Sequence, residues 1–248
     1  MRRAIVLLRR QRAVMGLKVV RRLPSSGPGF LTLDRFLVRN VYADGRTSPP
    51  YRSEVLHRRG IDAVAIVPFY FADRPRKMMV ICKTGFRPGL STRAGLKLPV
   101  RDRRAYLTII EAVAGSLEPG DRGEKGVSAR ARAELLEETG LKPIGGRMIR
   151  LGSGFFPSHG QSTEKVHLRA FEIDPAGAVE PKGDGSVNES DSGTIAIEVS
   201  RLSRMCRTGR IEDPKLEIGV ARLLHALGAG AGRRRRSTVR GRTTHAHF

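Results

Sequence analysis

The sequence lacks tryptophan, has only two cysteines, and is 5% aromatic. Cys82 and Cys206 stand far apart and form no CxxC pair, which argues against a disulfide framework or a cysteine-bound zinc ion. Reduced thiols in the cytoplasm are the simpler interpretation. A membrane-spanning helix takes roughly 20 apolar residues, and no apolar run of the sequence approaches that length. We therefore predict a cytoplasmic protein that is not inserted in a membrane.

Acidic residues are absent from both ends of the chain. Residues 1–33 carry eight Lys or Arg and residues 218–248 carry seven, and together they supply 15 of the net 22 positive charges. Ends of this kind attract phosphate backbones in a salt-dependent way. The low aromatic content leaves few surfaces on which bases can stack. The ends therefore predict non-specific contact with nucleic acid at most.

The uneven charge divides the chain into three parts. We predict a basic extension over 1–29, one domain over 30–227 and a disordered basic tail over 228–248. The tail mixes glycine, arginine and threonine and has almost nothing to bury. For the extension, three interpretations stay open: an arm, a targeting segment, or residues upstream of a start at Met15.

Strand-like patterns surround one strong helical pattern. The predicted strands are 36–42, 62–71, 77–84, 106–113 and 164–173, followed by the apolar run 194–199. A helix is predicted from an N-cap at Ser128 to Gly140, and a final helix from Asp213 with Pro214 in its first turn. Strands that alternate with a few helices predict an α/β sandwich with a mixed sheet.

Three glutamates cluster on the first predicted helix, although the chain as a whole is basic. Glu134, Glu137 and Glu138 fall within a sector of about 100° on a helix. Each like-charged pair costs about 0.2 to 0.5 kcal/mol on an exposed helix. A solvated acidic face is one interpretation. Because a glycine-rich turn precedes the helix and no His or Cys lies nearby, we favour a site for Mg²⁺ or Mn²⁺ that takes phosphates as further ligands.

The stretch AGSLEPGDRGEKGVSARARAELLEETGL resembles the Nudix box of the Nudix hydrolases. The matching positions are Gly115, Asp121 (in place of the family's glutamate), Glu134, Leu135, Glu137, Glu138, Gly140 and Leu141. Two positions depart from the box. Ala133 replaces the family's arginine, with Arg130 and Arg132 beside it, and four extra residues lie between 122 and 133, where we expect a longer loop.

Other stretches resemble the ADP-ribose pyrophosphatase branch of this family. They are FRPG at 86–89, EAVAG at 111–115, FFPSHGQSTEKVHL from 155 and GRIEDPKLEIGVARLL from 209, and the likeness covers roughly 30–227. It implies a Nudix-type α/β/α sandwich that hydrolyses the pyrophosphate of a nucleoside diphosphate derivative. The branch reaction converts ADP-ribose to AMP and ribose 5-phosphate.

The resemblance also implies roles for single residues. Mg²⁺ or Mn²⁺ would be held by the Ala114 carbonyl, Glu134, Glu137 and Glu138; Glu164 would act as general base beside the catalytic Glu137 and Glu138; and Arg87, Glu111 and Pro157 would bind substrate. It further implies a homodimer formed through amino-terminal strands over 30–60. For Glu164, Arg87 and Glu111, a surface position facing water is the alternative.

Two further functions stay open on the sequence alone. One is hydrolysis of another nucleoside diphosphate sugar, because these carboxylates face only the shared pyrophosphate. The other is a non-catalytic sensor that binds ADP-ribose on a degenerate Nudix site, which Ala133, Asp121 and the inserted residues favour.

Overall fold

A computed structural model describes residues 5–10, 29–58, 60–72, 77–183, 185–187 and 191–239. The strands are β1 (Ile5–Arg9), β2 (Leu31–Val38), β3 (Tyr51–Arg58), β4 (Ala63–Ala72), β5 (Lys77–Gly85), β6 (Ile109–Glu111), β7 (Val113–Ser116), β8 (Pro143–Arg150), β9 (Val166–Ile173) and β10 (Gly193–Glu198). The helices are α1 (Pro88–Ser91), α2 (Gly123–Thr139), α3 (Val199–Arg207) and α4 (Pro214–Val239). The predicted α/β class with a mixed sheet is confirmed.

The main sheet has the strand order β1-β10-β5-β4-β9-β8, and β2 and β3 form a separate hairpin. Within this order β4 and β9 run parallel and the other neighbours run antiparallel. The first half of β4 pairs with β7 and its second half pairs with β5, while the last residues of β5 pair with β6. The sheet therefore splays between β4 and β5, and β6 and β7 fill the gap.

Each face of the sheet has its own apolar core because side chains alternate along a strand. On one face, Val64 and Ile66 of β4 pack with Leu135 of α2. On the other, Val67 of β4 packs with Leu216 of α4. The central strands are buried on both faces, which explains why their sequences read as continuous apolar runs rather than alternating ones.

The sequence located the central strands better than the peripheral ones. The predictions 62–71, 77–84, 164–173 and 194–199 and the helix start after Asp213 are confirmed within two residues. The predicted strand 106–113 is wrong as one element, because it divides at Ala112, whose N–H donates to Asp213 Oδ2 at 2.7 Å. Likewise, 36–42 is shifted relative to β2. No prediction covered β1, β8 or α3, and β3 fell only within the amino-terminal strands that the resemblance implied over 30–60.

The predicted start of the glutamate helix is wrong. Helix α2 begins at Gly123, and Ser128 is an interior residue whose Oγ donates to the Glu124 carbonyl at 2.6 Å. The extra residues that were expected to lengthen a loop therefore lengthen the helix. Its predicted end is confirmed, because Gly140 adopts φ 70° and its N–H donates to the Leu136 carbonyl.

Parts of the predicted basic extension and of the predicted tail have regular secondary structure. Strand β1 lies within the predicted basic extension and pairs with β10. The backbone of α4 continues to Val239, through the first part of the segment predicted as disordered, while 240–248 lie outside the described residues. Among the helices of the described ranges, none combines the length and apolar character needed to cross a bilayer.

Candidate functional site

Three of the four glutamates of α2 line a cleft of about 670 Å³ at the splayed part of the sheet. Its wall includes Lys83 of β5, Ala114 and Gly115 of β7, Arg87, Glu111, Glu118, Arg130, Glu134, Glu137 and Glu138. We call this the acidic cleft. It brings together segments that lie more than 50 residues apart in sequence, because residues of β5, β6 and β7 line it together with α2.

Gly115 and Glu134, the first glycine and the first helix glutamate of the motif, are in direct contact. A Cβ atom added at Gly115 would overlap the Glu134 carboxylate. Glu134 is also buried, with a relative exposure of 9%. A side chain at position 115 would displace this carboxylate, so glycine is what allows Glu134 to lie against β7.

Lys83 is a site residue that sequence reasoning missed. Its Nζ donates to Oε1 of Glu138, and the Ala114 N–H donates to Oε2 of the same carboxylate at 3.1 Å. Lys83 and Glu138 are only 4% and 5% exposed. A signal was present, because strand alternation places Lys83 on the same face as Met79 and Ile81, which pack toward α2.

Arg130 is the arginine that lies beside the motif carboxylates. Its Nε donates to Asp121 Oδ2 at 2.8 Å, and its Nη1 lies 4.0 Å from Glu134 Oε1, one helical turn away. Arg132 points elsewhere, donating to the carbonyls of Ser128 and Gly146. Arg130 therefore supplies a positive charge next to Glu134 although Ala133 replaces the family's arginine.

The Asp121–Arg130 pair shifts the pKa of both partners. Burial acts to raise the pKa of Asp121, but the hydrogen bonds from the Glu118 N–H and from Arg130 outweigh it, so that the pKa is lowered. The hydrogen bond to Asp121 in turn raises the pKa of Arg130. Both groups are charged at neutral pH, and Asp121 fixes the turn that precedes α2.

Arg87 and Glu111, both predicted to bind substrate, form an ion pair in the cleft wall. Arg87 Nη2 lies 2.7 Å from Glu111 Oε1, and Lys215 Nζ lies 3.8 Å from Glu111 Oε2. Burial acts to lower the pKa of Arg87, but its attraction to Glu111 outweighs this and raises it. The guanidinium is thus oriented before any ligand binds.

Glu164 and Pro157 lie away from the cleft wall, and the motif residues Leu135 and Leu141 are buried in the apolar core. Glu164 Oε1 accepts a hydrogen bond from Arg58 Nη2 at 2.7 Å, and Nη1 of the same arginine donates to the Ser116 hydroxyl, which lines the cleft. Glu164 is therefore separated from the cleft by one side chain. Pro157 is exposed on the connection between β8 and β9, outside the residues that line the cleft.

The chemistry of the donors fits a hard divalent cation, because the carboxylates of Glu134, Glu137 and Glu138 share one cleft. The arrangement of these three carboxylates does not by itself form a metal site. Among the described residues, no three His, Cys, Asp or Glu side chains converge closely enough to hold a metal ion. The positive charge that the cluster requires is supplied by Lys83 at Glu138 and by Arg130 near Glu134. A metal ion at Glu138 would therefore compete with Lys83 for that carboxylate.

Comparison with known proteins gives no match, either to a family model or to a curated protein.

Proposed function

We propose that the protein is a Nudix-type hydrolase that cleaves the pyrophosphate of a nucleoside diphosphate derivative, with ADP-ribose as the first candidate. The observation that carries the proposal is the contact of Glu134 with Gly115, with Glu137, Glu138 and Arg87 in the same cleft. If the three glutamates formed only a solvated acidic face, Glu134 would not need to pack against a glycine. Such packing is expected where the carboxylate must meet a ligand beside β7.

Glu134, Glu137 and Glu138, with the Ala114 carbonyl, are the groups that would hold Mg²⁺ or Mn²⁺. When bound, such an ion neutralises pyrophosphate charge and lowers the pKa of a coordinated water. The chain's own residues supply the rest. Arg87 presents a planar donor pair that can exchange its bonds to Glu111 for phosphate oxygens. Glu164, the predicted general base, would have to release its ion pair with Arg58 to reach the cleft.

A sensor that binds such a ligand without hydrolysis is the second candidate. It is favoured by the two side-chain cations, since Lys83 and Arg130 already balance Glu138 and Glu134. A pure binding protein can recognise the ligand through Arg87 without a metal ion. Hydrolysis of another nucleoside diphosphate sugar belongs to the same proposal as ADP-ribose, because the cleft groups described above face the shared pyrophosphate.

We also propose a homodimer formed through the β2–β3 hairpin. The hairpin is separate from the main sheet and leaves Leu31, Phe36 and Leu37 exposed, Leu37 by 74%. Exposed apolar side chains grouped on one element favour a protein partner. In sedimentation equilibrium we expect a dimer that Leu37→Glu dissociates. A monomeric wild-type protein would refute this part of the proposal.

The decisive experiment measures AMP release from ADP-ribose and from a panel of nucleotide sugars, with Mg²⁺ and with a chelator. Glu134→Gln should lower kcat by about a hundredfold or more, because a metal ion contributes several kcal/mol and each 1.4 kcal/mol is worth tenfold. Glu217→Gln, an exposed glutamate on α4, is the matched control and should be unchanged. Binding of ADP-ribose without cleavage of any panel member would favour the sensor instead.

A further inference from the structure

A second cleft of about 630 Å³ adjoins the acidic cleft. It lies between the segment that connects β5 to β6 and the start of α4, and its walls include Leu90, Arg104, Tyr106, Ile109, Ile211 and Lys215. Arg87 and Glu111 line both clefts. A ligand whose phosphate contacts Arg87 can therefore extend into the second cleft without leaving the first.

The charges of the second cleft are largely paired with one another. Arg104 Nη1 lies 2.8 Å from Glu212 Oε2, and its Nη2 donates to the Gly209 carbonyl. Lys215 Nζ lies 3.5 Å from Asp213 Oδ1. A second strongly charged group would have to break these pairs and would gain little, because the surrounding charges nearly cancel. The cleft therefore suits an uncharged group.

Its uncharged surface is suited to a flat ring with polar edges. Leu90, Ile109 and Ile211 provide apolar contact, and Tyr106 adds an aromatic ring whose hydroxyl donates to Asp102 at 2.7 Å. Carboxylates at the rim, such as that of Glu212, can accept hydrogen bonds from hydroxyl groups. Ligand sites commonly combine an apolar lining with a few polar groups in a cleft of about 300 to 1,000 Å³.

We infer that the second cleft binds the nucleoside of a nucleoside 5′-phosphate, with the phosphate at Arg87 on the border between the clefts. The inference rests on the proposed function in one respect, since it assigns the two ends of the same substrate. The nucleoside occupies the second cleft, and the scissile pyrophosphate faces the carboxylates of α2.

The test fills the second cleft from its exposed rim and measures binding without a divalent ion. Ala105→Trp and Thr108→Trp place a bulky ring in the cleft, while Ala221→Trp on the exposed side of α4 is the matched control. AMP and ribose 5-phosphate are titrated by calorimetry into each protein. Circular dichroism verifies folding of the variants. We expect both cleft variants to bind AMP about tenfold more weakly than wild type, with ribose 5-phosphate less affected and Ala221→Trp unchanged.

Three outcomes would overturn the inference: no AMP binding by wild type, equal AMP affinity in the cleft variants, or a selective loss of ribose 5-phosphate. Hydrolysis is scored separately, so the two proposals can fail independently. Cleavage of ADP-ribose with an unchanged KM in Ala105→Trp would refute the second cleft alone. AMP binding that the variants abolish, in a protein that cleaves nothing, would refute hydrolysis alone.

Discussion

The two faces of the sheet are built on different principles. On the α2 face, charged side chains are buried among apolar ones: Lys83, Glu134, Glu138 and Arg169, the last only 1% exposed. The α3/α4 face packs through apolar side chains and two thiols, and burial raises the pKa of Cys206 to about 11. Buried charges cost desolvation energy that ion pairs only partly return. The apolar core of the α3/α4 face therefore supplies stability, while the α2 face holds the buried charges of the acidic cleft.

The largest effect is expected from breaking the buried pair on the α2 face. Lys83→Met removes the ammonium group and leaves the Glu138 carboxylate buried beside the Ala114 N–H. We expect the free energy of unfolding, measured in urea, to fall by about 3 to 5 kcal/mol. The double variant Lys83→Met/Glu138→Leu should recover most of this loss, because it removes both charges. A single variant as stable as wild type would mean that other groups neutralise Glu138.

A comparable loss on the opposite face should leave function intact. Leu216→Ala creates a cavity in the apolar core between α4 and the sheet, where Leu216 is fully buried. We expect a loss of about 2 to 5 kcal/mol in urea unfolding. Under conditions where the variant is folded, its AMP release from ADP-ribose should match wild type. A large drop in activity would contradict the separation of roles between the two faces.

The difference between the faces also explains what the sequence could predict. Apolar periodicity identified β4, β5, β9, β10 and the start of α4, since these elements owe their place to burial. It missed β3 and β8, whose side chains are mostly half-buried or exposed. The α2 start was misjudged because Ser128 reads as an N-cap although its hydroxyl bonds back within the helix.

The sequence predicted which residues line the site better than it predicted which of their side chains form ion pairs. Helix periodicity predicted a shared face for Glu134, Glu137 and Glu138, and all three line one cleft together with Gly115. That Lys83 binds Glu138, or that Arg58 separates Glu164 from the cleft, depends on tertiary packing across more than 50 residues of sequence. No local pattern specifies which buried cation meets which carboxylate.

An intermediate effect is expected where β7 meets α2. Gly115→Ala places a methyl group against the Glu134 carboxylate, so the side chain or β7 must move. Because the methyl group meets only the end of a flexible side chain, we expect a stability loss of about 1 kcal/mol and a larger fractional loss of activity. Gly120→Ala is the matched control, because a Cβ there would meet nothing within 4 Å. Equal behaviour of the two variants in unfolding and AMP-release assays would refute the close packing of Glu134 on β7.

The smallest effect concerns the partly exposed pair of Arg130 and Asp121. Arg130→Gln should cost about 0.5 to 1 kcal/mol in urea unfolding at neutral pH, whereas Arg132→Gln, an exposed neighbour, should cost less. Because the folded state lowers the pKa of Asp121 from its ordinary 3.8, the stabilisation is complete above that value and is lost as the pH falls through the lowered pKa. The difference between wild type and Asp121→Asn should therefore shrink below about pH 4. A difference that stayed constant down to pH 2 would show that Asp121 acts through its shape rather than its charge, and the α2 face would then depend less on charge than its buried carboxylates indicate.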